Sequence, residues 1–91
     1  MTGTIWKFLI GPVPVLVFDI PKGANIISAA WDPKTGPCIW VEIPDKTAPK
    51  EERKLLVVGT GHALPAERGR FIGTVVEHDS GLVWHIYEEA K

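Results

Sequence analysis

Proline and glycine interrupt this 91-residue chain about once every five residues, with eight prolines and nine glycines. Proline removes a backbone donor and glycine loses much conformational entropy, so both disfavour the interior of a helix. Valine and isoleucine number nine each, and their branched side chains favour strands. We therefore expect an all-β protein with at most one short helical turn, near residues 63–68, where Pro65 is placed to begin it.

Short apolar runs separated by turn signals predict seven strands. The predicted strands are Thr4–Ile10, Val15–Ile20, Asn25–Trp31, Cys38–Ile43, Lys54–Val58, Phe71–His78 and Leu82–Glu88. The polar, proline-bearing segment Pro44–Arg53 is expected to be the longest loop. Short strands at regular spacing favour a small antiparallel β-sandwich or a flattened barrel. A chain of this length has material for one hydrophobic core, so residues 1–91 are expected to form a single domain.

Charge and hydropathy exclude several classes of partner. Ten basic and eleven acidic residues give a net charge of −1, which provides no electrostatic footprint for a nucleic-acid polymer. The longest apolar run, residues 8–18, contains Gly11, Pro12 and Pro14 and falls short of the roughly 20 residues of a membrane-spanning helix. The first residues lack the basic start of a secretory signal. We expect no membrane partner and a cytoplasmic location.

Catalytic and metal-binding patterns are missing from the sequence. None of the three histidines lies two or four positions from another, so no local metal motif forms. Neither Ser28 nor Ser80 lies in a nucleophile elbow, and the only cysteine, Cys38, lies in an apolar run where a thiolate is disfavoured. We expect no enzyme activity, no cofactor and no metal.

The last two predicted strands form a hairpin with two apolar faces. With a three-residue loop at residues 79–81, one face carries Ile72, Thr74, Val76, Leu82, Trp84 and Ile86, and the other carries Phe71, Gly73, Val75, Val83, His85 and Tyr87. In this register Gly73 lies opposite Tyr87, a pairing that lets the Tyr87 ring lie over bare backbone. An antiparallel sheet normally exposes one face to water. We therefore expect a second copy of the chain to cover one face, with Tyr87 or Val83 at or near the contact.

Four tryptophans are many for 91 residues, and all four lie in predicted strands. Trp40 and Trp84, which lie in alternating strands with apolar neighbours, are expected in the core. Trp31 precedes a turn and is expected at the surface or at the rim of a pocket.

The most unusual local feature is the turn Gly59-Thr60-Gly61-His62, which follows an apolar strand. It admits two interpretations: a tight turn that ends the strand, or a ligand-contacting loop whose successive N–H groups bind an anion. The nearby Arg68 and Arg70 add charged donors. The candidate ligand-binding residues are Thr60, Gly61, His62, Arg68 and Arg70, with Trp31 as a stacking surface, in one site that subunits share.

Several segments together carry a resemblance to a known family. They are Ile20-Pro21-Lys22-Gly23-Ala24, Pro37-Cys38-Ile39-Trp40, Val58-Gly59-Thr60-Gly61-His62, Phe71-Ile72-Gly73-Thr74 and Trp84-His85-Ile86-Tyr87-Glu88. With these segments in this order, the chain resembles a family of small proteins of unknown function that bacteriophages and prophages encode. The resemblance implies a phage-encoded, all-β accessory protein in the host cytoplasm.

Two hypotheses of function follow. In the first, a homo-oligomer binds a nucleotide-derived immune signal of the host and sequesters it without catalysis, using aromatic surfaces for the base and donors for the phosphates. In the second, the chain is a protein-binding module that inhibits a host defence protein directly or forms a minor part of the virion. Retention of a small molecule distinguishes the first from the second.

Overall fold

The computed structural model describes residues 3–11 and 13–90 and contains seven strands in two sheets. The strands are β1 (Thr4–Leu9), β2 (Val15–Pro21), β3 (Asn25–Asp32), β4 (Gly36–Ile43), β5 (Lys50–Gly59), β6 (Arg70–Val76) and β7 (Val83–Glu88). Sheet A has the order β1-β4-β3 and sheet B the order β2-β5-β7-β6, with antiparallel neighbours throughout. The expected all-β fold is confirmed as two sheets that do not close into a barrel.

Alternating side chains of both sheets form the hydrophobic core between them. In β4, for example, Ile39, Val41 and Ile43 are almost fully buried, whereas the intervening Trp40 and Glu42 belong to the opposite face. The buried cluster comprises Ile10, Ile20, Ala24, Ile26, Ala29, Ile39, Val41, Ile43, Leu55, Val75 and Ile86. Branched residues predominate, which explains why the strand pattern was predictable from the sequence.

The two sheets approach each other most closely along β3 and β6. A Cβ atom added at Gly73 would lie 3.1 Å from both the backbone nitrogen and the carbonyl oxygen of Ala29. A side chain at this position would therefore push the strands apart. We conclude that Gly73 is required for the backbone contact between the sheets and not, as expected from sequence, to accommodate Tyr87.

The hairpin of β6 and β7 has a different register from the expected one. Val76 pairs with Val83 and Thr74 with His85, so Thr74 lies on the face of His85 and not on that of Trp84. The reason is the length of the loop: the Glu77 N–H donates to the Leu82 carbonyl at 2.9 Å and closes a loop of four residues, 78–81, instead of three. A β-bulge next to Phe71 then places this residue opposite Tyr87, with the ring centroids 5.4 Å apart.

Further expectations need correction. β5 begins at Lys50, so the connection after β4 is shorter than the predicted loop of residues 44–53. Trp40 is half-buried on the outer face of sheet A and does not belong to the core, whereas Trp84 packs against the core as expected. Residues 63–68 contain no helical turn, and no helix occurs in the ranges that the structure describes.

Candidate functional site

The turn of residues 59–62 uses two of its N–H groups within the chain. The His62 N–H donates to the Gly59 carbonyl at 3.0 Å, and Gly61 takes the positive φ of 88° that this tight turn needs. The Thr60 N–H donates to the Val83 carbonyl at 3.2 Å. Two of the donors expected to bind an anion are therefore engaged, and the turn has the geometry of a strand cap.

The side chain of Thr60 joins a small polar network on the outer face of sheet B. Its Oγ1 lies 2.9 Å from Nε2 of His85, and Nδ1 of the same ring lies 3.1 Å from Oγ1 of Thr74. Because a neutral imidazole has one donor nitrogen and one acceptor nitrogen, one hydroxyl donates to the ring and the other accepts from it. The network fixes the orientation of the His85 ring and ties the turn to β7.

A cavity of about 580 Å³ lies next to this turn, at the end of sheet B that we call the Thr60 end. It is lined by Val13, Pro14, Val57, Gly59, Thr60, His62, Gly81, Leu82, Val83 and Trp84. Cavities of roughly 300–1,000 Å³ with apolar walls and a few polar groups are typical of small-molecule sites. Here the indole of Trp84 and aliphatic side chains form the walls, and Thr60 and His62 supply the polar groups.

One close contact shapes the glycine side of the cavity. The imidazole of His62 lies over Gly59, where an added Cβ atom would come within 3.0 Å of Cε1 and Nδ1 of the ring. Gly59 is thus the position that lets the ring lie against the backbone beside the cavity. His62 itself is exposed, so a ligand can reach its ring.

Arg68 and Arg70 lie at the opposite end of sheet B. Arg70 pairs in register with Glu88 of β7. Glu88 is four residues from Trp84 along this strand, so these two residues lie about 13 Å apart. Arg68 lies with its guanidinium 5.6 Å from the ring centroid of Tyr87. Within one chain, the structure does not bring the two arginines together with the turn of residues 59–62.

The arginine side of sheet B, which we call the Arg53 end, contains a buried ionic cluster. Arg53 and Glu88 form a two-point ion pair, in which Nη2 of Arg53 donates to Oε1 at 3.0 Å and Nε donates to Oε2. Nη1 of Arg53 also donates to the Ala24 carbonyl at 2.8 Å. Hydrogen bonding to Glu88 raises the pKa of Arg53 above its usual value. Arg70 adds hydrogen bonds to Glu88 at 3.4 Å and to the Ile26 carbonyl at 3.0 Å, so it fastens β6 to β3.

Trp31 does not line the cavity. It packs against the core from β3, in the other sheet, and a Cβ atom added at Gly36 would lie 3.7 Å from its ring. The indole at the cavity is Trp84, which we expected from sequence in the core alone. The cavity residues from 13–14 and 81–84 were also missed, because only the pairing of β5 with both β2 and β7 brings them beside the turn.

Within residues 3–11 and 13–90, no group of three or more His, Cys, Asp or Glu side chains is arranged to hold a metal ion. No helix in the described part of the chain is long and apolar enough to cross a membrane.

Comparison with known proteins places the chain in a family. No curated protein and no solved structure matches it. One protein-family profile matches over residues 1–91, the full length of the chain. The chain belongs to the family described as Domain of unknown function (DUF7352).

Proposed function

We propose that this chain is a non-catalytic binding protein whose cavity at the Thr60 end takes the base of a nucleotide-derived small molecule. The observation that carries the proposal is the cavity of about 580 Å³ with an indole wall at Trp84 and polar groups at its rim. A flat ring with hydrogen-bonding edges matches this lining, because every nucleobase has an apolar face and polar edges.

The interactions available to a base are stacking and hydrogen bonding. Stacking on an aromatic side chain is worth about 1–3 kcal/mol per base. His62 is exposed at the cavity and supplies an imidazole for the edge of the base. The hydroxyl of Thr60 already contacts Nε2 of His85 and has capacity for a further hydrogen bond to the base. A neutral hydrogen bond adds about 0.5–1.5 kcal/mol. The site thus favours aromatic heterocycles over aliphatic ligands of equal size.

The phosphates of such a ligand are expected to point into solvent. Arg70 pairs with Glu88, which lies about 13 Å from Trp84 along β7, and Arg68 lies over the ring of Tyr87. The N–H groups of Thr60 and His62 donate within the chain. The proposed site therefore binds the base and does not bind the phosphates through arginines. A nucleoside and its monophosphate should bind with similar affinity.

The side chains of Cys38 and His85, which could serve as nucleophile and base, are engaged within the fold. Cys38 is buried, with its Sγ 3.2 Å from Oγ1 of Thr35, in sheet A and away from the cavity. His85, the histidine on β7, has both ring nitrogens occupied by threonine hydroxyls. Binding and sequestration require neither group.

The biological setting is also a proposal. From the resemblance to phage and prophage proteins we infer that the ligand is a nucleotide-derived signal of host defence and that the protein sequesters it in the host cytoplasm. Expression in a host with a nucleotide-signalling defence should lower the free signal and restore phage growth. A Val13→Trp variant, which fills the cavity, should do neither.

A second candidate is a protein-binding module, and the outer face of sheet B favours it. Val15, Val17, Phe71 and Val76 are exposed there, around the partly buried Tyr87. An exposed apolar surface of this kind often marks a protein interface. A stable complex with a host protein, formed by the Val13→Trp variant as well, would favour this candidate.

Titration with adenosine and adenosine monophosphate tests the first proposal. We expect both probes to bind with dissociation constants that differ by less than about threefold, because no charged hydrogen bond of about 1.5–3 kcal/mol distinguishes them. Val13→Trp should abolish binding of both. Ile5→Trp, at an exposed strand position in sheet A, is the matched control and should bind normally. Equal binding by Val13→Trp would contradict the proposal.

A further inference from the structure

The two long sides of the sandwich differ in their exposed strand edges. On one side β3 and β6 lie against each other, with Gly73 in contact with the Ala29 backbone and Arg70 bonded to the Ile26 carbonyl. On the other side β1 and β2 are the outermost strands of their sheets. A ring contact between Phe8 and Phe18, with centroids 5.9 Å apart, joins the sheets there. This contact leaves the outer backbone edges of β1 and β2 without a partner strand.

β2 presents a regular row of backbone groups at its outer edge. Its pairing with β5 has no bulge from Val15 to Pro21. The Val57 N–H donates to the Pro14 carbonyl and the Lys22 N–H to the Pro49 carbonyl, so even-numbered residues of β2 direct their backbone groups towards β5. In an antiparallel ladder the odd-numbered residues then direct theirs outward. The outward N–H groups are those of Val15, Val17 and Asp19.

Self-pairing of β1 is disfavoured by charge. The Ile10 N–H donates to the Pro37 carbonyl, so the outward groups of β1 belong to Ile5, Lys7 and Leu9. A two-fold pairing of this edge centres on Lys7 and places two lysines directly opposite each other. Asp32, at 2.8 Å, offsets part of the charge of each Lys7, but like charges in that position remain destabilising. An edge lysine is also a common means of blocking such pairing.

Self-pairing of β2 meets no such barrier. A two-fold axis at Val17 places this residue opposite its own copy and Val15 opposite Asp19 of the second copy. Each chain then donates three N–H groups to the other. The side chains of Val15 and Val17, 44% and 49% exposed, become neighbours across the junction. A two-fold contact of this kind is closed, so association stops at the dimer.

We propose that β2 pairs antiparallel with β2 of a second copy, centred on Val17, and joins the two four-stranded sheets into one of eight strands. The proposal gives the expected homo-oligomer a definite surface. It places the contact at the edge of sheet B and not on Tyr87 or Val83, which lie on β7 in the interior of that sheet. It is independent of the ligand cavity.

Charge variants at Val17 test the pairing and its register. On β5, Lys54 already lies opposite Val17, so Val17→Lys sets four positive charges in a row across the junction. We expect the wild type to be a dimer by analytical ultracentrifugation and Val17→Lys to raise the dimer dissociation constant by at least about tenfold. Val76→Lys, at a similarly exposed position (42%) on the outer face of β6, is the matched control and should remain a dimer.

Mixing two variants checks the two-fold axis directly. A mixture of Val17→Lys with Val17→Glu should form a heterodimer by native mass spectrometry, because the axis brings the two substituted side chains together. Hydrogen exchange should also show the amides of Val15, Val17 and Asp19 becoming protected as concentration rises. A wild type that stays monomeric would overturn the proposal. So would a dimer that survives Val17→Lys but is lost in Val76→Lys, which would indicate packing through the outer face instead.

Discussion

The two ends of sheet B use their polar groups in opposite ways. At the Arg53 end, the guanidinium of Arg53 and the carboxylate of Glu88 are nearly buried and bind each other, and Arg70 completes the cluster. At the Thr60 end, the polar groups of Thr60 and His62 border an open apolar cavity. Charge density alone therefore does not locate a binding site, because a charge that a neighbouring strand neutralises is no longer available to a ligand.

Removal of Glu88 should give the largest effect on stability. Glu88→Ala leaves the nearly buried guanidinium of Arg53 with Glu51, at 3.3 Å, as its counter-ion, so the loss in the free energy of unfolding should approach the value of about 3–5 kcal/mol that is typical of a broken buried pair. Urea denaturation measures this loss. Glu89→Ala, which removes the more exposed ion pair with Lys54, is the control and should cost at most about 1 kcal/mol. Equal losses in both variants would show that the Arg53 end is not a structural cluster.

Trp84 gives the corresponding test at the Thr60 end. Trp84→Ala removes an indole that is half-buried against the core and forms a wall of the cavity. We expect a loss of about 2–3 kcal/mol, below the range for a fully buried tryptophan, together with loss of adenosine binding. Trp40→Ala, on the outer face of sheet A, should destabilise less and leave binding intact. A larger loss for Trp40→Ala would contradict the assignment of faces.

The hydroxyl of Thr60 should have a smaller effect. Thr60→Val removes the contact with Nε2 of His85 and keeps the size of the side chain. We expect a loss of about 1 kcal/mol and a change in the imidazole signals of His85 in the NMR spectrum. Thr74→Val, which removes the contact with Nδ1, is the matched comparison at the same ring. Unchanged imidazole signals in both variants would show that the network does not exist in solution.

The exposed ion pair of sheet A should give the smallest effect, one that depends on pH. A hydrogen bond from Lys7 at 2.8 Å, together with the Lys34 N–H, lowers the pKa of Asp32 to about 2. A carboxylate with a lowered pKa stabilises the fold above its unfolded pKa and loses this effect as pH falls through the folded value. Stability should therefore decline between about pH 4 and pH 2. Asp32→Asn should reduce the decline, and Lys7→Met should reduce it partly.

The strands were predictable from sequence, because their apolar residues alternate between clear turn signals. The bounds of β1, β2 and β3 differ from the predicted ones by one residue at most. The register of the last hairpin was not predictable, since Asp79-Ser80-Gly81 is equally compatible with a four-residue loop. One residue of loop length decides which side chains of β6 share a face with Trp84.

The candidate site was predictable only in part. The glycine turn is recognisable from the sequence, but closeness in sequence does not place Arg68 and Arg70 beside it. Between His62 and Arg70 the chain passes from one end of sheet B to the other, so these residues are distant in space. Residues 13–14 and 81–84, which complete the cavity, are distant in sequence and are brought there by strand pairing alone.

We propose that ligands bind at the Thr60 end of sheet B and not at the Arg53 end. An NMR titration with adenosine monophosphate, observed in the wild type and in Arg68→Ala plus Arg70→Ala, tests it most directly. We predict chemical-shift changes at Thr60, Val83 and the indole N–H of Trp84, with unchanged affinity in the double variant. Shifts confined to Arg68 and Arg70, with binding lost in the double variant, would show that the ligand binds at the Arg53 end instead.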